Sequence, residues 1–186
     1  MILPIVGYGD AVLRKKAEDI ESSYQGLDKL IADMFETMYN ASGVGLAAPQ
    51  IGKSIRLFIV DAEAFSDEEP ELANFKKIFI NPLIIEEEGT EWAFNEGCLS
   101  IPGIREDVMR KPKITIEYQN ENFEWMEETY EGIAARIIQH EYDHIEGVLF
   151  TDHISPLKKK MLKSRLERII RGDVNVSYKM KFNGKK

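Results

Sequence analysis

The pair of histidines in His140-Glu141-Tyr142-Asp143-His144 constrains this chain more than any other feature. Side chains four residues apart are close neighbours on one face only in a helix. An H-E-x-x-H segment can therefore aim both imidazoles at one metal ion if it is helical and faces the interior. Glu141 lies about 100° round such a helix from His140, within reach of the ion's outer shell or of a water on it. The segment reads as a helix from Tyr130 to Glu146, stopped by Gly147. The chain has 3 histidines and 1 cysteine in 186 residues, so two histidines within five positions are not scatter.

Two histidines do not complete a catalytic site, which usually takes three protein ligands and leaves a fourth position open. His140–Phe150 reads H-E-Y-D-H-I-E-G-V-L-F, close to the metzincin pattern, but Phe150 stands where the third histidine belongs and a phenyl ring cannot ligate. His153 comes three residues too late. A thermolysin-like site takes a downstream glutamate, and the only one after Glu146 is Glu167, in a basic segment with no motif around it. Cys98, in Glu96-Gly97-Cys98-Leu99-Ser100 after a strand-like run, remains as the third ligand. A structural zinc site would need a fourth protein ligand, and none is evident.

Around this motif the chain reads as one α+β domain over residues 1–186, with mixed or antiparallel sheets packed round the H-E-x-x-H helix. Leu27, Leu30, Ile31, Met34, Phe35 and Met38 form one apolar stripe and predict a helix over Gln25–Asn40. Strand character falls on Ile55–Asp61, Ile78–Pro82, Leu83–Glu88, Glu91–Asn95, Lys113–Gln119 and Phe123–Glu128. Ser66–Glu71 reads as an exposed acidic loop. Ser155-Pro156 starts a last helix ending near Arg171, so residues 155–186 form a basic C-terminal helix and tail.

Gly43-Val44-Gly45-Leu46-Ala47-Ala48 matches a dinucleotide fingerprint on paper, but a helix precedes it and Pro49 interrupts any helix after it. What remains is a loop built for close approach, ending in Gln50, whose amide can donate to a developing oxyanion.

Three segments taken together, GVGLAAPQ at Gly43–Gln50, EGCLS at Glu96–Ser100 and HEYDH at His140–His144, resemble the signature motifs of the peptide deformylases. They stand in the family's order and span about 100 residues; Ile101-Pro102 and Gly147–Phe150 extend the similarity. The resemblance implies removal of the formyl group from N-formylmethionyl nascent peptides. It implies one divalent metal on Cys98, His140 and His144, Fe(II) in the cell with Ni, Co or Zn able to replace it. It makes Glu141 the general acid/base, with Gln50 and the Leu99 N–H stabilising the oxyanion. Val44, Gly45, Glu96 and Arg105 fall at substrate-binding positions. Ile133 and Ile137, seven and three residues before His140 on its face of the helix, join Val44 and Phe94 round the methionine side chain. His153, Trp92 and Trp125 are assigned to structure or surface.

Charge adds a partner. From Ser155 onward there are 11 Lys or Arg against 2 Asp or Glu, so a net of +9 sits on a chain of net −8 and residues 1–154 carry −17. A basic tail on an acidic body points to a polyanionic partner, and the ribosome is the one the resemblance implies. No stretch approaches the roughly 20 apolar residues of a membrane span, and the N-terminus lacks an export pattern, so the expected location is cytoplasmic, with neither membrane nor DNA as partner. Two other readings stay open: an H-E-x-x-H protease of internal peptide bonds, and a non-catalytic metal module that contacts RNA or the ribosome.

Overall fold

In the computed structural model, which describes residues 1–184, the Leu27-to-Met38 stripe folds as α1 (Leu27–Asn40). It starts two residues later than the periodicity predicts because Gly26 adopts a left-handed conformation, φ 74°. The second helix, α2 (Gly132–Ile145), also starts two residues late. Tyr130 and Glu131 are taken instead into a strand, and Gly132, at φ 59°, makes the turn between the two. The third, α3 (Pro156–Ile170), begins as expected: the Ser155 side chain accepts from the Lys158 N–H and Pro156 occupies the first turn. Its buried side chains Leu162, Leu166 and Ile169 hold it on the body while its lysines face solvent.

The strands are β1 (Ile5–Val6), β2 (Gly45–Ala47), β3 (Leu57–Asp61), β4 (Lys76–Glu88), β5 (Trp92–Cys98), β6 (Ile101–Arg110), β7 (Lys113–Gln119), β8 (Trp125–Glu131) and β9 (Met180–Lys181). An antiparallel sheet runs β2-β3-β4-β7-β8; β5 and β6 form a separate antiparallel pair; β1 pairs with β9 in parallel. The two strands predicted at Ile78–Pro82 and Leu83–Glu88 are one, bent by a register shift between Ile80 and Leu83. Asn81 takes φ 49° at that bend, and its side chain bonds the Ile20 N–H and C=O, which holds the irregular backbone. β6 was not anticipated, because Arg105, Glu106, Asp107 and Arg110 interrupt its apolar positions.

The glycine-rich segment is β2, an edge strand, followed by a single 3-10 turn at Ala48–Ile51. The acidic loop is less exposed than its composition implies. Leu72 is buried just after it, and the Glu69 carboxylate accepts from the Ile133 N–H (3.1 and 3.2 Å), capping α2 where the helix dipole favours negative charge.

The helix α2 lies against the large sheet, burying Ala135 and Ile138 with Phe58, Phe79 and Ile116. Phe79 is at the centre, with ring centroids 4.7 Å from Phe58 and 4.5 Å from Tyr118. This packed layer sets where α2 presents its other face. Phe79→Ala leaves a ring-sized cavity and is expected to cost about 3–5 kcal/mol in urea unfolding, with a two-state transition retained. A loss under about 1 kcal/mol would show that the layer is not the core.

Candidate metal centre and active-site cleft

The outward face of α2 meets the β5–β6 pair, and there Cys98, His140 and His144 converge. Their donor atoms all lie within 4.8 Å of one another, with Cys98 Sγ 3.4 Å from His144 Nε2. Bond lengths of about 2.3 Å to sulfur and about 2.1 Å to nitrogen place neighbouring donors of a tetrahedral shell about 3.6 Å apart, so these side chains fit a metal ion. Three donors also leave a position of such a shell free.

A shell of polar groups surrounds these donors and orients His140, while the buried His144 Nδ1 has no hydrogen-bond partner in the protein. Glu96 accepts from His140 Nδ1 at 3.0 Å, which selects the Nδ1–H tautomer and turns Nε2 toward the cluster. The same carboxylate takes Arg110 in a fork (2.7 and 3.0 Å) and Arg136 (3.0 Å). Burial works against its charge, but the hydrogen bonds from His140 and Arg110 hold the carboxyl well below the usual carboxylate range. Arg110 also reaches Asp143 (2.8 Å), which pairs with His153 (2.7 Å). His144 is fully buried and its pKa is pushed well below that of a free imidazole, which keeps it in the neutral, ligating form. Phe150, in the metzincin third-ligand position, stacks on His140 with centroids 6.2 Å apart.

Beside the ligands Glu141 is buried, and its Oε2 has no hydrogen-bond partner in the protein. Burial pushes its carboxyl up to about 7. It lies this close to β2 only because position 45 is glycine: a Cβ on Gly45 would sit 2.7 Å from Glu141 Cδ. Gln50 is buried on the opposite side. Its Oε1 accepts from the Ala47 N–H (2.9 Å), which turns Nε2 toward Cys98 Sγ (3.5 Å) and Ser100 Oγ (3.3 Å). The amide hydrogens therefore face the cluster.

These groups sit at the bottom of a cleft of about 580 Å³. Val44, Gly45, Gln50, Leu99, Arg105, Ile137 and Glu141 are among its walls, as the sequence predicts. Ile133 is not; one turn before Ile137 on α2, it packs in the core. Glu96 borders the cleft, with both its oxygens engaged by Arg110, Arg136 and His140. Arg105 is tied to Asn95, donating to the side chain and to the carbonyl, both at 2.8 Å.

Sequence reasoning missed Arg110, Asp143 and the functional placing of Arg136, whose guanidinium stacks over Trp92 at 4.7 Å. The signal for Arg136 is an arginine on the buried face of an otherwise apolar helix. Residues 175–178 also line the cleft, and nothing in the tail's charge pointed there.

A carboxyl raised toward neutrality, beside ligands that leave a coordination position free, is suited to taking a proton from water. The fold and site thus define a metal-dependent hydrolase. Comparison with known proteins narrows the class. The sequence profile of the polypeptide deformylase family matches residues 2–160. The peptide deformylase of Christiangramia forsetii is 59% identical, with 100% of this chain and 99% of that one aligned. That of Flavobacterium psychrophilum is 59% identical, with 100% of both aligned. The crystal structure of a peptide deformylase from Legionella pneumophila superposes with a TM-score of 0.80 at 41% identity, covering 93% of this chain and 98% of that one. The enzyme from Thermus thermophilus gives 0.81 at 41% identity, covering 91% and 98%. The chain belongs to the polypeptide deformylase family, and it is a hydrolase that removes the N-formyl group from newly made polypeptides.

The closeness of Gly45 to Glu141 is testable alone. Gly45→Ala should displace the Glu141 carboxyl and lower kcat at least about tenfold, with metal content and Tm near those of the parent. Full activity in the folded variant would mean that the glutamate's position is not held by this contact.

Proposed function

We propose that Cys98, His140 and His144 hold one divalent ion, Fe(II) in the cell with Ni, Co or Zn able to replace it. Residues 1–186 act as one metallohydrolase domain on N-formylmethionyl nascent peptides. The observation that carries this reading is the buried, unpartnered Glu141 Oε2 next to three convergent donors. A sulfur-and-nitrogen set of this kind suits several divalent metals. The bound ion would supply Lewis acidity and a water of lowered pKa.

This chain's own residues do the rest. Glu141 accepts the proton of the attacking water, which a carboxyl near neutrality can both take and return. As the formyl carbon becomes tetrahedral, its oxygen gains charge, and the Gln50 amide and the Leu99 N–H donate to it. Gln50 arrives preoriented, since its other end is fixed by the Ala47 N–H. Glu141 then returns the proton to the leaving nitrogen, giving formate and a free N-terminal amine. Val44, Phe94 and Ile137 form the apolar surface for the methionine side chain, with Ile133 supporting it from the core. Arg105, exposed at the rim, contacts the peptide beyond the methionine.

A cytoplasmic location at the ribosome follows from this substrate; no helix among the described residues is long and apolar enough to cross a membrane. The exposed lysines of α3 are the docking surface we assign to the ribosome, since phosphate contacts need accessible cations.

Glu141→Gln should lower formate release from a formyl-Met peptide by about a hundredfold to ten-thousandfold. Elemental analysis of protein purified without oxygen should show the metal retained. Unchanged release would remove Glu141 from the chemistry, and cleavage of an internal peptide bond by the parent would favour a protease. Changing both Lys160 and Lys163 to Glu should weaken co-sedimentation with ribosomes in a salt-dependent way without altering turnover of a short peptide. Equal co-sedimentation would exclude α3 as the docking surface.

A further inference from the structure

We propose that residues 173–182, the strap that follows α3, form a structural wall of the active-site cleft, and that Tyr178 is a positioning residue for the oxyanion-binding segment. This inference rests on the deformylase reading above. The strap lies wholly beyond residue 160, where the match to the family profile ends.

After α3 the chain reverses at Gly172, φ 67°. Val174, Val176, Tyr178, Met180 and Phe182 then alternate, half-buried, with exposed Asn175, Ser177, Lys179 and Lys181. That period of two is a strand's, with one face on the protein. The strap is closed by backbone bonds to the N-terminal strand: the Ile5 N–H donates to the Lys179 carbonyl and the Gly7 N–H to the Lys181 carbonyl, each at 2.9 Å. Gly7 lets it seat, because a Cβ there would lie 2.6 Å from the Phe182 ring.

Held in this way, the strap brings Asn175–Tyr178 to the cleft wall. The Tyr178 hydroxyl donates to the Leu99 carbonyl at 2.7 Å. One residue on, the Ser100 carbonyl accepts from the Tyr8 N–H at 2.8 Å. The Leu99 carbonyl belongs to the peptide plane that follows the Leu99 N–H. The Cys98 side of Leu99 is held as well, by its pairing with Ile101 across the β5–β6 turn, so pinning the carbonyl plane leaves Leu99 little freedom to rotate and its N–H keeps one direction. An oxyanion donor is effective when its direction is set before charge develops. The Tyr178 hydroxyl supplies this restraint through Leu99 without touching the reacting atoms.

Tyr178→Phe deletes only the hydroxyl. We expect kcat for a formyl-Met peptide to fall about threefold to tenfold with KM nearly unchanged, as for a group whose effect is felt in the transition state. Metal content and Tm should match the parent, and the Leu99 amide should exchange its hydrogen faster by NMR. Gly7→Ala, which unseats the strap from outside the metal cluster, should move both readouts the same way if the tyrosine variant folds poorly. Parental kcat and parental Leu99 exchange in a folded, metal-loaded variant would overturn the proposal. So would a loss of kcat that only tracks lost metal or lost stability. If the parent itself releases no formate, the deformylase reading fails, and Leu99 exchange still decides whether the strap restrains the segment.

Discussion

Glu96 is the carboxylate through which the β5–β6 pair and α2 are joined. Its oxygens accept from Arg110 on β6 and from Arg136 and His140 on α2, all in a space almost closed to water. Desolvating a carboxylate and two guanidiniums is costly, and such a network adds little net stability compared with an apolar core of equal volume. What it contributes is geometry. Removing one partner would leave a buried charge uncompensated, at a cost of about 3–5 kcal/mol, so the strand pair and helix can meet in only one arrangement. That arrangement places Cys98, two residues beyond Glu96 on β5, opposite His140 and His144. The donor cluster thus shares its scaffold with the salt-bridge network.

The parts of this design that follow a period were legible in the sequence. The stripe from Leu27 to Met38 specified α1, the spacing of His140 and His144 specified a helix with a metal face, and Lys113–Gln119 was found with its observed bounds. The parts that escaped are those in which a charged residue does a buried residue's work. Arg110 and Arg136 carry no signal of their own for burial, yet both are interior, where Glu96 receives them. β6 was hidden for the same reason. The strap was hidden by net charge. Its lysines pointed to a polyanionic partner, while the alternation of Val174, Val176, Tyr178, Met180 and Phe182 was the stronger signal for its structure.

Two kinds of close approach then complete the site, and they differ in what they demand of the chain. Gly43, Gly45 and Gly97 lie where a Cβ would meet Leu99, Glu141 and Arg105 respectively. There the absent side chain creates room for a group that must be near the chemistry. Gln50 and Tyr178 instead bring in a hydrogen bond, each from an element outside the β5–α2 junction. Gln50 comes from the turn after β2 and Tyr178 from the C-terminal strap, and both converge on Cys98–Ser100.

That convergence bears on how an unsatisfied carboxylate oxygen persists in this interior, where His144 Nδ1 and Arg136 Nε also lack partners. The buried Glu141 Oε2 lacks a partner, which by itself costs about 1–3 kcal/mol or more. A side chain in that condition tends to swing toward water or to a new donor. Here the β2 backbone at Gly45 blocks one side, and the helix fixes its origin. The Gln50 amide is held on Cys98 and Ser100 by its own bonds. The surrounding order therefore keeps Glu141 poised with a free oxygen, the atom that the proposed proton transfer uses.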